Sequence, residues 1–272
     1  MGKGLLLLLL TGGGLITPSV NAGFIAIDIR VEAAVEDKKL KASIEVTNNG
    51  NEPAYNVDVN ADLKGQVFSI PLKNVLNAKE KVTGELVLEV AVDKPGLYPL
   101  IITVNSTDAN QYPLSAVSVV HFSYQEKIIP RVFGSLTNSE ISNKGKVVFR
   151  LKNLDSRNKK VNIRLIIPRE LSVYPLQKPI TLMAFSEKNL EFQITNFSAL
   201  EGSVYPIYAI MEYEQNNRHY STSAIGNVKI GAPKGGFIKS NRELLIGVIV
   251  VLVCIFIYAN HKAHKSSINK DV

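Results

Sequence analysis

The chain has 272 residues, room for two ordinary domains, with a formal net charge of +7 and a single cysteine. The charge is spread thinly along the chain, which excludes the dense basic stripe that a nucleic-acid-binding protein needs to neutralise phosphates. Because Cys254 has no partner, no disulfide can form within the chain, and packing alone must hold its domains together.

The first 22 residues have the three parts of a secretory signal peptide. Lys3 supplies a positive start, Leu5 to Leu10 begin the apolar core, and a small-residue cleavage pattern ends at Ala22. Glycines interrupt the apolar core, which is too short to span a bilayer stably. We therefore predict a cleaved signal peptide over residues 1–22, which places the following residues outside the cytoplasm. An uncleaved amino-terminal anchor is the alternative.

Apolar and polar residues alternate with period two from residue 40, and this pattern predicts strands with one buried face. Between the first two runs lies Asn48-Asn49-Gly50-Asn51, whose residues favour a tight connection. No ten-residue stretch of this region shows helical periodicity. The predicted inward residues are Leu40, Ala42, Ile44 and Val46, followed by Tyr55, Val57, Val59, Ala61 and Leu63.

The same pattern recurs in a second half of the chain, where Val147, Phe149 and Leu151 precede Val161, Ile163 and Leu165. Three short matches between the two halves are separated by nearly the same number of residues. Glu80-Lys81 matches Glu187-Lys188, and Tyr98-Pro99 matches Tyr205-Pro206, both 107 residues apart. Gly96 matches Gly202, 106 residues apart. Each copy has turn-punctuated strands, about seven of them, which favours an Ig-like β-sandwich. We predict an all-β fold of two tandem Ig-like β-sandwich domains, 23–126 and 127–231, plus one C-terminal transmembrane helix.

The stretch from Ala42 to Leu63, ASIEVTNNGNEPAYNVDVNADL, resembles the opening of a CARDB-type domain. This is the "cell adhesion related" Ig-like repeat of bacterial and archaeal surface proteins, in which a strand ending in an Asn-Gly turn precedes a strand of the form A-x-N-V-x-V. The stretch from Val147 to Leu165 is a more divergent copy, with Asn153-Leu154 replacing Asn-Gly. The resemblance implies the fold and a cell-surface setting, and it carries no catalytic residues.

Asp58, Asn60 and Asp62 have the spacing that opens a calcium-binding loop. The sixth position of such a loop would be Leu63 rather than glycine, and the twelfth would be Ser69 rather than glutamate. On a strand the three polar residues would simply line the solvent face. We therefore predict no calcium site at this position.

The four histidines form no ligand set. His261 and His264 follow the last apolar run; two ligands fall far short of a structural zinc set, and both residues fit a basic tail. His121 and His219 do not fall at equivalent positions of the two repeats and have no obvious partner cluster. The sequence predicts no metal and no cofactor.

No hydrolase, metalloprotease or nucleotide-binding motif occurs in a strand–helix context, so we predict no catalytic residues and no enzymatic activity. The chain lacks tryptophan, the largest aromatic platform for sugars. Tyr55, Tyr98 and Tyr205 fit core or corner packing instead. Asn105 and Asn196 begin glycosylation sequons, relevant only where exported asparagines are glycosylated.

The carboxyl-terminal part of the chain predicts a membrane anchor. Residues 232–243 read as a juxtamembrane stalk, and residues 244–259 are sixteen residues without a charge. At ~1.5 Å per residue this run covers about 24 Å, slightly short of a ~30 Å hydrocarbon core, and flanking Arg242 and Lys262 can snorkel to close the gap. The run is apolar on every face, which favours a transmembrane helix over a buried globular one. Cys254 within it is expected to behave as a small apolar residue.

Residues 260–272 are a basic tail, predicted to be cytoplasmic from the signal peptide because the charges flanking the apolar run are balanced. The expected function is a membrane-anchored, extracytoplasmic binding or structural protein that presents two Ig-like domains close to a single-pass anchor. Its partner would be an envelope or membrane protein, with no nucleic acid and no small-molecule substrate. The alternatives are a cell-surface adhesin, and a carbohydrate-active enzyme or its accessory. The domain layout is similar to that of Gram-positive proteins that interact with WxL-type surface proteins.

Overall fold

The computed structural model describes residues 23–232 and 246–256. The predicted signal peptide 1–22 and the predicted tail 260–272 lie outside the described residues. So do His261 and His264, and all of the predicted stalk except Ala232.

The first sandwich contains seven strands, because its apolar residues alternate along extended runs that short turns separate. A three-stranded sheet, in the order β1-β2-β5, faces a second sheet in which β4, β3, β6 and β7 are neighbours. All of these pairs are antiparallel. The strands are β1 (Ile27–Glu36), β2 (Lys39–Asn48), β3 (Ala54–Leu63), β4 (Gln66–Leu76), β5 (Lys81–Glu89), β6 (Gly96–Thr107) and β7 (Pro113–Tyr124).

The second sandwich repeats this plan with two additional short strands. One sheet has the order β12-β14-β10-β8, and the facing sheet contains β13, β11, β15 and β16, with β9 added in parallel to β16. The strands are β8 (Val132–Leu136), β9 (Ser139–Ile141), β10 (Lys144–Asn153), β11 (Lys159–Ile166), β12 (Leu171–Tyr174), β13 (Gln177–Leu182), β14 (Glu187–Asn196), β15 (Val204–Gln215) and β16 (Arg218–Ile230). This strand order is that of an Ig-like β-sandwich, and the predicted all-β sandwich fold is confirmed.

Each sandwich has its own hydrophobic core between its two sheets. The alternation along β2 holds as predicted, since Leu40, Ala42, Ile44 and Val46 are all buried. The prediction for Tyr55 was wrong. Asn56 has a φ of 51° and the β3–β4 ladder shifts register between Val57 and Asp58, so Ala54 is buried in place of the half-buried Tyr55.

The two sandwiches lie side by side rather than end to end. Strand β16 pairs in parallel with β6 through one residue pair, His219 with Gly96, which joins the two larger sheets into one of nine strands. Strand β7 packs against β15 and β16. Ile101, Val117 and Ile210 are buried but belong to neither core. We call this contact between the two sandwiches the seam.

Residues 246–256 form a helix whose side chains are exposed, and the free Cys254 lies in it. Among the described residues, no helix is both long enough and apolar enough to cross a membrane. The predicted transmembrane segment 244–259 extends past the described part of this helix at both ends. It stays a prediction, as do the predicted domain bounds.

Candidate functional site

His219 lies at one end of the seam and contacts both sandwiches. Its ring stacks on Tyr98, with centroids 4.2 Å apart and planes 3° from parallel. Nδ1 lies 2.9 Å from the carbonyl oxygen of Leu97, and Nε2 lies 3.3 Å from a carboxylate oxygen of Glu212. Burial raises the pKa of Tyr98 to about 12, so its hydroxyl stays neutral and donates to the carbonyl of Lys94 at 2.8 Å.

Ion pairs surround this contact and cross the seam. Arg218 lies 2.6 Å from Glu126, and Arg164 lies 3.5 Å from Asp62. Lys94 pairs with Glu214. Partly exposed ion pairs of this kind contribute little individually, and here they flank a buried stacking contact.

The opposite end of the seam is held by the pair Arg169-Glu170, which precedes β12. Glu170 is 1% exposed, and its two carboxylate oxygens accept hydrogen bonds from the backbone and hydroxyl of Ser115, both at 2.6 Å. Arg169 donates to the carbonyl oxygens of Ser106 at 3.1 Å and Leu114 at 2.8 Å. Because the seam is bonded at both ends, the two sandwiches form one unit.

A groove of about 570 Å³ opens beside this second end of the seam. It lies between the segment that leads into β1, the start of β7, and the turn before β15. Phe24, Leu200 and Val204 line it and are 52%, 55% and 56% exposed. The further apolar lining residues are Ile25, Ala26, Ile27, Leu114, Ala116 and Pro206. We refer to this feature as the groove.

Among the described residues, the charged side chains that line the groove all have one sign. They are Glu52, Asp108, Glu170 and Glu201. Glu170 is bonded to Ser115, and Asp108 accepts from backbone amides of its own turn, whereas Glu52 and Glu201 are exposed. An apolar surface with an acidic rim in a chain of net charge +7 favours an apolar ligand that carries positive charge.

A larger depression of about 700 Å³ lies over β11, β13 and the seam, but its charged lining residues are of both signs. Lys64 and Lys160 face Glu212 and Glu214 there, and these two carboxylates already contact His219 and Lys94. The groove is therefore the better candidate for a binding site, because its exposed charges are of one sign.

The three residues with calcium-loop spacing each form a hydrogen bond with a different residue. Asp58 accepts a hydrogen bond from Asn105 at 2.8 Å, Asn60 bonds Ser69, and Asp62 accepts from the backbone of Gly65 at 2.7 Å. Within residues 23–232 and 246–256, no group of three or more His, Cys, Asp or Glu residues is placed to hold a metal ion.

Both sequon asparagines are hydrogen-bonded in the fold. The amide nitrogen of Asn105 donates to Asp58 at 2.8 Å. That of Asn196 donates twice, to the carbonyl oxygens of Ser142 and Ala199 at 3.1 and 3.0 Å. A glycan on Asn196 would remove one of these two bonds.

The roles of His121 and His219 were not predicted from the sequence. His121 lies on the seam with its Nε2 3.1 Å from the hydroxyl of Ser221, and burial lowers its pKa while the charge of Glu212 partly opposes that shift. Neither His121 nor His219 has an equivalent in the other repeat, because each serves the contact between repeats rather than the fold of one. The lack of an equivalent histidine in the other repeat was the sign of this role that the sequence offered.

No protein-family model matches the chain, and no curated protein matches it. Among solved structures, native Escherichia coli alpha-2-macroglobulin is 11% identical over 77% of this chain and 17% of that chain, with a TM-score of 0.30. The YadV chaperone is 12% identical over 73% of this chain and 99% of its own, also with a TM-score of 0.30. The chain thus spans 17% of the length of the macroglobulin. The fold assignment rests on strand order and not on these superpositions.

Proposed function

We propose that this protein is a membrane-anchored, extracytoplasmic binding protein whose paired Ig-like domains hold a segment of a partner protein in the groove. The proposal rests on the groove, where exposed Phe24, Leu200 and Val204 lie beside the carboxylates of Glu52 and Glu201. Exposed apolar surface rimmed by polar groups is typical of protein-binding sites. The partner segment would carry an apolar side chain next to lysine or arginine.

The position of the groove supports a partner in the same envelope. Strand β16 ends at Ile230, whose carbonyl accepts from the backbone of Gly202 at 2.8 Å, so the chain leaves the second sandwich beside the groove. With residues 244–259 as the anchor, the stalk 232–243 has an r.m.s. reach of only about 20 Å. The groove would then face the membrane, within reach of a membrane-bound or membrane-proximal protein.

The resemblance of residues 42–63 to CARDB-type repeats agrees with a surface setting, which the proposed signal peptide 1–22 would provide. The short stalk disfavours adhesion to a second cell, because the groove would be turned toward its own membrane. In this proposal the seam has a supporting role. Its bonds hold the groove walls, which come from both sandwiches, at a fixed separation.

The test is site-specific photo-crosslinking in cells that make the intact chain. A photoreactive amino acid replaces Leu200 in the groove and, as a matched control, Val67, which is 59% exposed on β4. We expect an adduct with an envelope or membrane protein at Leu200 and none at Val67. The crosslinked partner peptide should contain an apolar residue next to lysine or arginine.

A second variant tests whether the adduct at Leu200 reflects specific binding of the partner or only its closeness to the groove. Glu201→Lys reverses one rim charge and should reduce the adduct about tenfold without changing the amount of folded protein. No adduct at Leu200, an adduct insensitive to Glu201→Lys, or a crosslink to the chain's own residues 233–245 would overturn the proposal. An adduct that forms only when a second cell type is present would favour the adhesin.

A further inference from the structure

Strand β5 in the first sandwich and strand β14 in the second occupy the same place. Val87 pairs with Lys41 on β2, and Gln193 pairs with Lys146 on β10, at the corresponding ladder position. On its other edge β14 pairs with β12, where Gln193 meets Tyr174. Within residues 23–232, β5 has β2 as its single partner strand, and nothing takes the place of β12.

The core beneath this edge is slightly more exposed in the first sandwich than in the second. In the second sandwich Leu171 of β12 is 4% exposed, and Val173 packs against the same core. On β14, Val173 pairs with Ile194, and Ile194 and the next inward residue, Phe192, are both fully buried. Their counterparts on β5, Leu86 and Leu88, are each 7% exposed.

Half-buried apolar side chains of β4 line the open side of the first sandwich. Phe68, Ile70 and Leu72 pack against the core from the facing sheet. Leu72 reaches across to β5, since a Cβ on Gly84 would lie 2.4 Å from its Cδ2. The free edge of β5 therefore has apolar side chains of β4 beside it, and an ion pair between Lys73 of β4 and Glu80 lies at its start.

The other sheet edges are protected. Prolines interrupt the two outer strands of the nine-stranded sheet, Pro71 in β4 and Pro179 in β13, and a proline lacks the donor that an added strand would use. The edges at β1 and β8 face β7 and β16 of their own sandwiches. Strand β12 has four residues, whereas β5 offers nine and contains no proline.

We propose that β5 is a docking edge for an extended segment of a second protein, which pairs with it antiparallel as β12 pairs with β14. Main-chain hydrogen bonds would supply affinity, and two apolar side chains at alternate positions would insert toward Leu86 and Leu88. Leu171 and Val173 show the pattern of that segment, apolar residues two positions apart with the polar Ser172 between them. This site is separate from the groove and does not depend on it.

The test uses the intact protein and a nine-residue peptide with the sequence of residues 168–176, in which a photoreactive group replaces Tyr174. We expect labelling within residues 81–89 and slower hydrogen exchange of β5 amides. A control peptide in which serine replaces both Leu171 and Val173 should label about tenfold less.

Two N-methylated peptides identify strand pairing as the mode of binding. One carries methyl groups on the amides of Ser172 and Tyr174, the other on those of Leu171 and Val173, so each blocks one edge of the extended peptide. Strand addition predicts that only one of them keeps labelling β5. Equal labelling by both, labelling outside residues 81–89, or no labelling by the unmodified peptide would overturn the proposal.

In cells, a photoreactive residue at Val87 tests the same edge, with the equivalent Gln193 as the control because β12 already occupies its edge. An adduct at Val87 that the unmodified peptide competes away supports β5 as a docking edge. An equal adduct at Gln193 would contradict it. Since the reporter for the groove is Leu200, failure at one site leaves the result at the other unaffected.

Discussion

Asn48 and Asn153 hold the same place in the two sandwiches and make the same three hydrogen bonds. Each is fully buried at the end of its strand, β2 or β10. In each case Oδ1 accepts a hydrogen bond from the backbone amide two residues later. Nδ2 donates one hydrogen bond to the backbone carbonyl four residues later and another to a backbone carbonyl at the end of β4 or just after β13. The partners are Gly50 (2.9 Å), Glu52 (2.7 Å) and Leu76 (3.2 Å) for Asn48, and Asp155 (3.0 Å), Arg157 (2.9 Å) and Met183 (2.9 Å) for Asn153.

Replacing either asparagine with alanine should destabilise the protein. Asn48→Ala or Asn153→Ala removes three side chain–backbone hydrogen bonds made from a fully buried position, and we expect the free energy of unfolding to fall by about 2–4 kcal/mol. Urea unfolding of the intact chain measures this. Asn110→Ala, at an exposed turn, is the control and should change it by less than about 0.5 kcal/mol. Equal effects at all three positions would contradict a stabilising role for the hydrogen bonds of Asn48 and Asn153.

Gly96 and Gly202 form a matched pair for testing the seam. Both have positive φ, 149° and 84°, so alanine strains the backbone at either position by about 1–3 kcal/mol. A Cβ on Gly96 would also lie 2.0 Å from the carbonyl oxygen of His219, whereas nothing lies within 4 Å of one on Gly202.

Gly96→Ala should therefore open the seam, and Gly202→Ala should not. Small-angle scattering of the intact protein should show a larger maximum dimension for Gly96→Ala alone, with greater loss of stability than Gly202→Ala. If the two variants scatter alike, the single backbone pair between His219 and Gly96 does not hold the sandwiches together.

Glu212 should stabilise the seam as an ion. Burial by itself raises the pKa of this carboxyl, but the hydrogen bond and charge of His219, with Arg164 and Lys64, bring the pKa below its ordinary value of 4.5. The ionised form is thus favoured in the folded state. This stabilisation is present above pH 4.5 and is lost as the pH falls through the lower folded-state pKa.

Glu212→Gln should lower the stability at pH 7 and flatten its decline below pH 4.5, measured by urea unfolding across pH. The exposed Glu201→Gln serves as the control. If the Glu212 variant kept the wild-type slope, another group would be responsible for the loss of stability below pH 4.5.

His121 should make the protein less stable in mild acid. Burial holds its pKa below the ordinary 6.5, and the nearby charge of Glu212 only partly opposes this. The unfolded chain therefore takes up a proton first as the pH falls. The contribution of neutral His121 is full above pH 6.5 and is lost as the pH falls through the folded-state value.

His121→Gln keeps a group that can bond Ser221 and cannot titrate. The variant should show a smaller loss of stability than wild type between about pH 7 and pH 5. Thermal unfolding at each pH measures the difference. Identical pH profiles for the two proteins would exclude His121 as the group that titrates.

One repeat match noted in the sequence proves to be out of register. Thr47 pairs with Lys81 and Lys152 pairs with Glu187, so β5 and β14 correspond at an offset of 106 residues. The Glu-Lys matches at 107 are thus shifted by one residue, which reverses the face of a strand. Tyr98 and Tyr205 do correspond, since both are buried at the start of β6 and β15.

The sequence alone determined the strand pattern and the two-fold repeat, because the alternation of apolar residues with period two is a local property of each strand. Leu40 to Val46 and Val57 to Leu63 needed no long-range information. The bulge at Asn56, the seam around His219 and the free edge of β5 were decided by tertiary structure. Each depends on which strands meet, and residues far apart in the chain, such as Gly96 and His219, carry no local signal of their contact.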